Sequence, residues 1–182
     1  MMNKYFYNYF VCISINFYVL FGQKIVHMNG TYDLDGDKML EFIALELNPD
    51  KDVFPKLVRY YEIDSDGYQT ILWEFIPPVA LEGEFVDAKI GDIDGNGAPE
   101  LVVVMNLTKF GDNSTPHVFI ATYDWDGTHF SEIPSASLDI GKENRSLRCN
   151  NFQLLDHDSD GEQEIVLSLG SPFRGFAIVN SS

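Results

Sequence analysis

The 182-residue sequence predicts an all-β chain built from repeated four-stranded antiparallel sheets. Three observations predict it. An acidic nine-residue pattern occurs three times at a near-constant interval, an Asp-Gly pair recurs in phase with it, and short apolar runs lie between the two markers. No stretch sustains a 3.6-residue apolar period with caps, so low helix content is expected.

The acidic pattern reads Asp33-Leu-Asp35-Gly-Asp37-Lys-Met-Leu-Glu41, then Asp92-Ile-Asp94-Gly-Asn96-Gly-Ala-Pro-Glu100, then Asp156-His-Asp158-Ser-Asp160-Gly-Glu-Gln-Glu164. The copies start at 33, 92 and 156, giving intervals of 59 and 64 residues. A fixed internal period is the mark of a repeat array. The second marker agrees with it, because Asp66-Gly67 and Asp126-Gly127 lie 60 residues apart. Each pair stands between apolar runs, which predicts a hairpin with a type I′ turn, a turn that needs positive φ at both central residues.

Taken in chain order, residues 1–22 read as a secretory signal peptide. Lys4 precedes an apolar and aromatic run from Tyr5 to Phe21, broken by Asn8, Ser14 and Asn16, with small Gly22 before Gln23. The run is short and interrupted for a membrane span; a retained anchor or a buried strand are the alternatives. Residues 23–182 then form the folded part, as repeats over approximately 25–80, 81–145 and 146–182. Phe42–Leu45, Leu101–Met105 and Ile165–Leu169 follow the acidic loops and read as buried strands. Lys56–Tyr61 and His117–Tyr123 form the next strands, and Gln69–Trp73 and His129–Ile133 follow the Asp-Gly turns. Phe85–Ile90 and Leu147–Phe152 lead into the second and third loops, with Asn106–Pro116 and Ser135–Asn144 as connecting loops.

Four strands per repeat make the blade of a β-propeller, and closed propellers have four to eight blades. About two and a half are present. The Asp-Gly turn of the third unit would fall near residue 189, so the last repeat is incomplete. The chain is therefore expected to join further blades of a longer protein or to cover its sheet edges by self-association.

Charge and cysteine content narrow the function classes. Lys and Arg number 12 against 28 Asp and Glu, a formal charge of −16 that repels phosphate backbones and excludes nucleic acid as a partner. Cys12 lies in the leader and leaves Cys149 unable to form an internal disulfide; a buried structural thiol is expected. The four histidines lack zinc spacing, and no nucleophile elbow, P-loop or dinucleotide fingerprint occurs. Paired carboxylates could serve glycoside hydrolysis, but every close pair belongs to an acidic loop, so no catalytic residue is assigned. Tyr60, Tyr61, Trp73, Tyr123, Phe130 and Phe173 are expected between sheets, whereas Trp125, inside the Asp124–Gly127 turn, is the candidate exposed contact residue.

The acidic loops carry the chemistry. Alternating oxygen donors let side chains converge on one point while the backbone wraps around it, which suits a hard cation taking six to eight oxygens, Ca²⁺ above all. The side-chain ligands would be Asp33, Asp35, Asp37 and Glu41 in the first loop, and Asp92, Asp94, Asn96 and Glu100 in the second. Asp156, Asp158, Asp160 and Glu164 would serve the third. The backbone carbonyls of Met39, Ala98 and Glu162 are further candidates. An EF-hand is excluded, since it needs Glu at loop position 12, where Ala44, Val103 and Leu167 stand here. Solvated Asp/Gly turns are the plain alternative, yet turn-making alone does not require an acid at position 9 in all three copies.

The pattern D-x-D-G-[DN]-G-x-x-[DE], fullest over Asp92–Val102, resembles the FG-GAP/VCBS repeat family of calcium-binding β-propellers, which includes the heads of integrin α-subunits. The resemblance spans roughly residues 25–182. Departures are Lys38 for glycine, Ser159 for glycine, and glutamate for the more usual aspartate at position 9. The resemblance implies structural Ca²⁺ that locks a hairpin of each blade, in an extracellular adhesion or carbohydrate-associated module. The expected role is thus a secreted or cell-surface calcium-binding module that meets an extracellular protein or polysaccharide. The alternative is an accessory or incomplete propeller domain of a secreted, polysaccharide-active enzyme whose catalytic part is missing.

Overall fold

A computed structural model describes residues 25–47, 55–77, 81–110, 117–132, 136–138, 148–170 and 174–180. The signal peptide expected at 1–22 lies outside the described residues, as does Phe173. Among the described residues there are strands and no helix, and no helix is long and apolar enough to cross a membrane.

The strands form three antiparallel sheets in which sequence neighbours pair. The first contains β1 (Ile25–Tyr32), β2 (Leu40–Leu47), β3 (Pro55–Ile63) and β4 (Gln69–Phe75) in that order. The second contains β5 (Leu81–Gly91), β6 (Glu100–Phe110), β7 (His117–Trp125) and β8 (Phe130–Glu132), with β9 (Ala136–Leu138) also paired to β7. The third contains β10 (Cys149–Leu155), β11 (Glu164–Leu169) and β12 (Gly175–Val179). Each acidic loop joins the first and second strands of its sheet, and each Asp-Gly turn joins the third and fourth strands of the first two.

The second strands of the first two sheets are apolar because they are covered. Residues 42–45 and 101–105 are buried throughout, as strands packed on both faces must be. Alternation then assigns faces. Ile43, Leu45, Val58 and Tyr60 of the first sheet pack on Leu101, Val103, Met105, Ala121 and Tyr123 of the second. The opposite face of the second sheet, Val102, Val104, Val118 and Ile120, packs on Phe152, Ile165, Leu167 and Leu169 of the third. Equivalent positions thus meet at both junctions. Pairing aligns Leu45 with Val58, Val104 with Ile120, and Ser168 with Phe176. Val58 and Ile120 are 0% and 2% exposed, but Phe176 is 74% exposed, because that face of the third sheet has no neighbour among the described residues.

Polar bonds tie the sheets together as well. Asn106, buried in β6, donates from Nδ2 to the Cys149 carbonyl (2.8 Å) and accepts the Cys149 N–H (2.7 Å). Asn29 of β1 donates to the Asp87 carboxylate and, at 2.6 Å, to the Ala88 carbonyl of β5. Cys149 is free and buried, as expected.

Several sequence expectations are corrected. The Asp-Gly turns are not type I′, because only the glycines have positive φ, 83° at Gly67 and 98° at Gly127. Side-chain capping sets their shape: Asp64 Oδ1 accepts the N–H groups of Asp66 and Tyr68 (2.9 Å each), and Asp126 Oδ1 those of Thr128 and His129 (2.9 Å each). Residues 106–110 are not loop but the end of β6, held by pairing with β5. Ala136–Leu138, also expected in a loop, pairs with β7 where β8 has ended. Trp125 is not an exposed contact residue. It pairs with Phe130 at the end of β7, and its ring lies 5.0 Å from Phe130 and 5.9 Å from Tyr60, in the aromatic cluster between the first two sheets.

Candidate metal centres

The three acidic hairpins fold alike down to individual bonds. The first Asp reaches forward five residues: Asp33 accepts the N–H of Lys38 (3.2 Å), Asp92 that of Gly97 (2.9 Å) and Asp156 that of Gly161 (3.2 Å). At position 5, Asp37, Asn96 and Asp160 accept the N–H of Met39, Ala98 and Glu162 at 2.7, 2.6 and 2.9 Å. At position 9, Glu41, Glu100 and Glu164 accept the N–H of Leu34, Ile93 and His157 at 2.6, 2.8 and 2.9 Å. Each hairpin therefore curls its backbone around its own carboxylates.

Backbone conformation explains the glycines and the departures from them. Positions 4 and 6 are left-handed in all three loops: Gly36 and Lys38 (77° and 72°), Gly95 and Gly97 (69° and 84°), Ser159 and Gly161 (65° and 100°). Lys38 and Ser159 thus occupy the same strained conformation that glycine relieves elsewhere. The replacements leave the loop path unchanged.

The grouping of side chains differs among hairpins. In the first, oxygens of Asp33, Asp35 and Asp37 lie within 4.8 Å of one another, and a second trio joins Asp35 and Glu41 to Glu62 of β3. In the second, Asp92, Asp94 and Glu100 come together, while Asn96 Nδ2 donates to Asp94 Oδ2 at 2.8 Å. In the third, Asp156, Asp158 and Asp160 form one trio, and His157, Asp158 and Glu164 another. His157 does not point away from the ligand set, as its place in the loop predicts; its Nδ1 lies 2.9 Å from Glu164 Oε2. Glu62 and His157 are absent from the sequence-based ligand set. Glu62 is foreshadowed only by strand pairing, which sets it opposite Glu41.

Burial controls the electrostatics. Glu41, Glu100 and Glu164 are 0%, 1% and 3% exposed, although each is a carboxylate at the start of a strand. Burial pushes the Glu100 carboxyl up to about 7, opposed by the Ile93 N–H and helped by the charges of Asp94, Asp92 and Asp124. Burial, then Asp37 and Asp35, raises Glu62. The Tyr60 phenol donates to Glu41 Oε2 at 2.6 Å and is raised by burial first and that bond second. Glu164 is lowered by the His157 N–H and ring, and His157 is raised by the same contact.

Oxygen donors without protons to accept remain in each hairpin. Glu41 Oε1, Asp92 Oδ1 and Asp156 Oδ1 are buried and have no hydrogen-bond partner among the described residues. An orphaned acceptor costs on the order of 1–3 kcal/mol, and a cation removes that cost. The donor set fits Ca²⁺. It is all oxygen in the aspartate trios, and ligands 2.3–2.6 Å from an ion stand at most about 5 Å apart.

No protein-family model and no solved structure matches the chain. It is similar to the rhamnogalacturonan endolyase YesW of Bacillus subtilis (strain 168), with 34% identity over 86 residues. That match takes in 44% of this chain, and the chain spans 13% of the length of that relative.

Proposed function

We propose that the chain is a secreted or cell-surface module of FG-GAP/VCBS type, in which Ca²⁺ at three hairpins fixes the ends of β-propeller blades. Its work is adhesion, scaffolding or recognition of an extracellular polymer, and not catalysis by these residues. The observation that carries the reading is the set of orphaned, buried carboxylate oxygens, Glu41 Oε1, Asp92 Oδ1 and Asp156 Oδ1, one in each of three hairpins with matching bonds. Further blades, from the same chain or a second copy, are the natural cover for the Phe176 face.

A second reading is favoured by the similarity to the endolyase. The sheets would then serve as an accessory or incomplete propeller domain of a polysaccharide-active secreted enzyme, with rhamnogalacturonan the first polymer to test.

Calorimetry and melting test the cation reading. Saturating Ca²⁺ at about 100 times Kd adds about 2.7 kcal/mol per independent site, so the melting temperature should rise by several degrees over that in chelator. Asp94→Ala should lose one bound ion per chain. Identical melts with and without chelator, or unchanged stoichiometry in Asp94→Ala, would refute the assignment. Binding of rhamnogalacturonan without cleavage supports a recognition role, and release of unsaturated products overturns the non-catalytic one.

A further inference from the structure

We propose that the first hairpin holds its cation on its inner side, between Asp35, Glu41 and Glu62, with Glu62 as a direct ligand from outside the nine-residue pattern. The inference rests on the Ca²⁺ reading above and names a ligand that the repeat pattern does not contain.

Three observations lead to it. The β2–β3 register sets Glu62 opposite Glu41, and the two carboxylates share a focus with Asp35 in which their oxygens lie within 4.8 Å of one another. Glu41 is wholly buried, and its Oε2 is already occupied by the Leu34 N–H and the Tyr60 hydroxyl, both at 2.6 Å. Its Oε1 is buried with no donor. Neither Glu41 nor Glu62 has an ion-pair partner among the described residues. A buried, orphaned acceptor on Glu41, flanked by the half-buried Glu62 and the exposed Asp35, is stabilised by a positive charge placed between the three carboxylates.

The outer trio is the weaker focus. Asp33 and Asp37 are exposed, so water screens them, whereas the inner group sets the buried Glu41 and the half-buried Glu62 beside the exposed Asp35 that both groups share. Lys38 also supplies a cation in that turn, where the second and third hairpins have Gly97 and Gly161. The second hairpin lacks the equivalent of Glu62. Asp124 pairs with Glu100 in the same register, but it is one methylene shorter and stands outside the Asp92–Asp94–Glu100 group.

Glu62→Gln keeps the shape of the side chain and removes its charge. By calorimetry on the full chain with Ca²⁺ alone, it should weaken one class of site at least tenfold and leave the others unchanged. Glu62→Asp, which copies the length of Asp124, should do the same. In chelator, Glu62→Gln should melt above wild type, because a like charge is gone; in Ca²⁺ it should melt below. A merely structural role would shift both melts in the same direction. Wild-type Ca²⁺ binding that Glu62→Gln leaves unaltered overturns the inference while sparing the hairpin reading. Failure of the wild type to bind Ca²⁺ overturns both.

Discussion

Replacing Ser159 by glycine should stabilise the protein, and replacing Gly97 by alanine should destabilise it by a similar amount. Ser159 holds φ at 65° and Gly97 at 84°, at positions 4 and 6 of their hairpins. A left-handed residue with a Cβ carries roughly 1–2 kcal/mol of strain. Glycine removes that strain but gives the unfolded chain extra freedom of about 0.5–1 kcal/mol. The net gain for Ser159→Gly is therefore about 0.5–1 kcal/mol, or about 1–4 °C for a chain of this size. Gly97→Ala should lose about as much by the same terms with opposite sign. A Cβ at Gly97 meets nothing within 4 Å, so the second variant tests backbone conformation free of any clash. Both should be melted in chelator, which keeps cation affinity out of the difference. A Ser159→Gly variant no more stable than wild type, together with a neutral Gly97→Ala, would refute the shared left-handed path of the hairpins.

Two further predictions follow from buried groups. Glu100, near 7 in the folded state against about 4.5 when unfolded, holds its proton more tightly in the native chain. Its contribution is thus fully present below 4.5 and is lost as pH rises through 7. In chelator, stability should fall between pH 5 and 8 by at most about 3 kcal/mol, and Glu100→Gln should abolish that fall; in excess Ca²⁺ the fall should be absent. A flat chelator profile in urea titrations would contradict it. Asn106→Ala leaves the N–H and carbonyl of Cys149 without their partner, at about 1–3 kcal/mol each. An unfolding midpoint unchanged by that variant would deny the tie between the second and third sheets.

Much of the strand layout was legible because it depends on local composition. Runs such as Leu101–Met105 are apolar at every position, which only a strand covered on both faces tolerates in a chain without helical periodicity. The acidic hairpins were legible for the same reason, since in each loop the carboxylates at positions 1 and 9 bind N–H groups of its own nine residues. The remainder depends on residues distant in sequence. The segment Ile25–Tyr32 has little apolar alternation and becomes a strand by pairing with β2. Trp125 looked exposed because its turn is polar, but the neighbouring sheet supplies the aromatic cover. Glu62 reaches Asp35 only through the register of β2 on β3, and a pattern confined to nine consecutive residues cannot express a register. His157 stands at position 2, between the alternating ligand positions of its loop, yet its ring bends back to the carboxylate seven residues ahead.

The bond from Tyr60 to Glu41 has an optical consequence. The phenol that holds this carboxylate sits edge-on to the indole of Trp125, 5.9 Å between ring centres. A shift of charge on Glu41 alters the electron density of one chromophore that lies within energy-transfer contact of another. Tryptophan emission is therefore a dye-free signal in which to look for the state of that hairpin, with Trp73 replaced so that Trp125 alone is read.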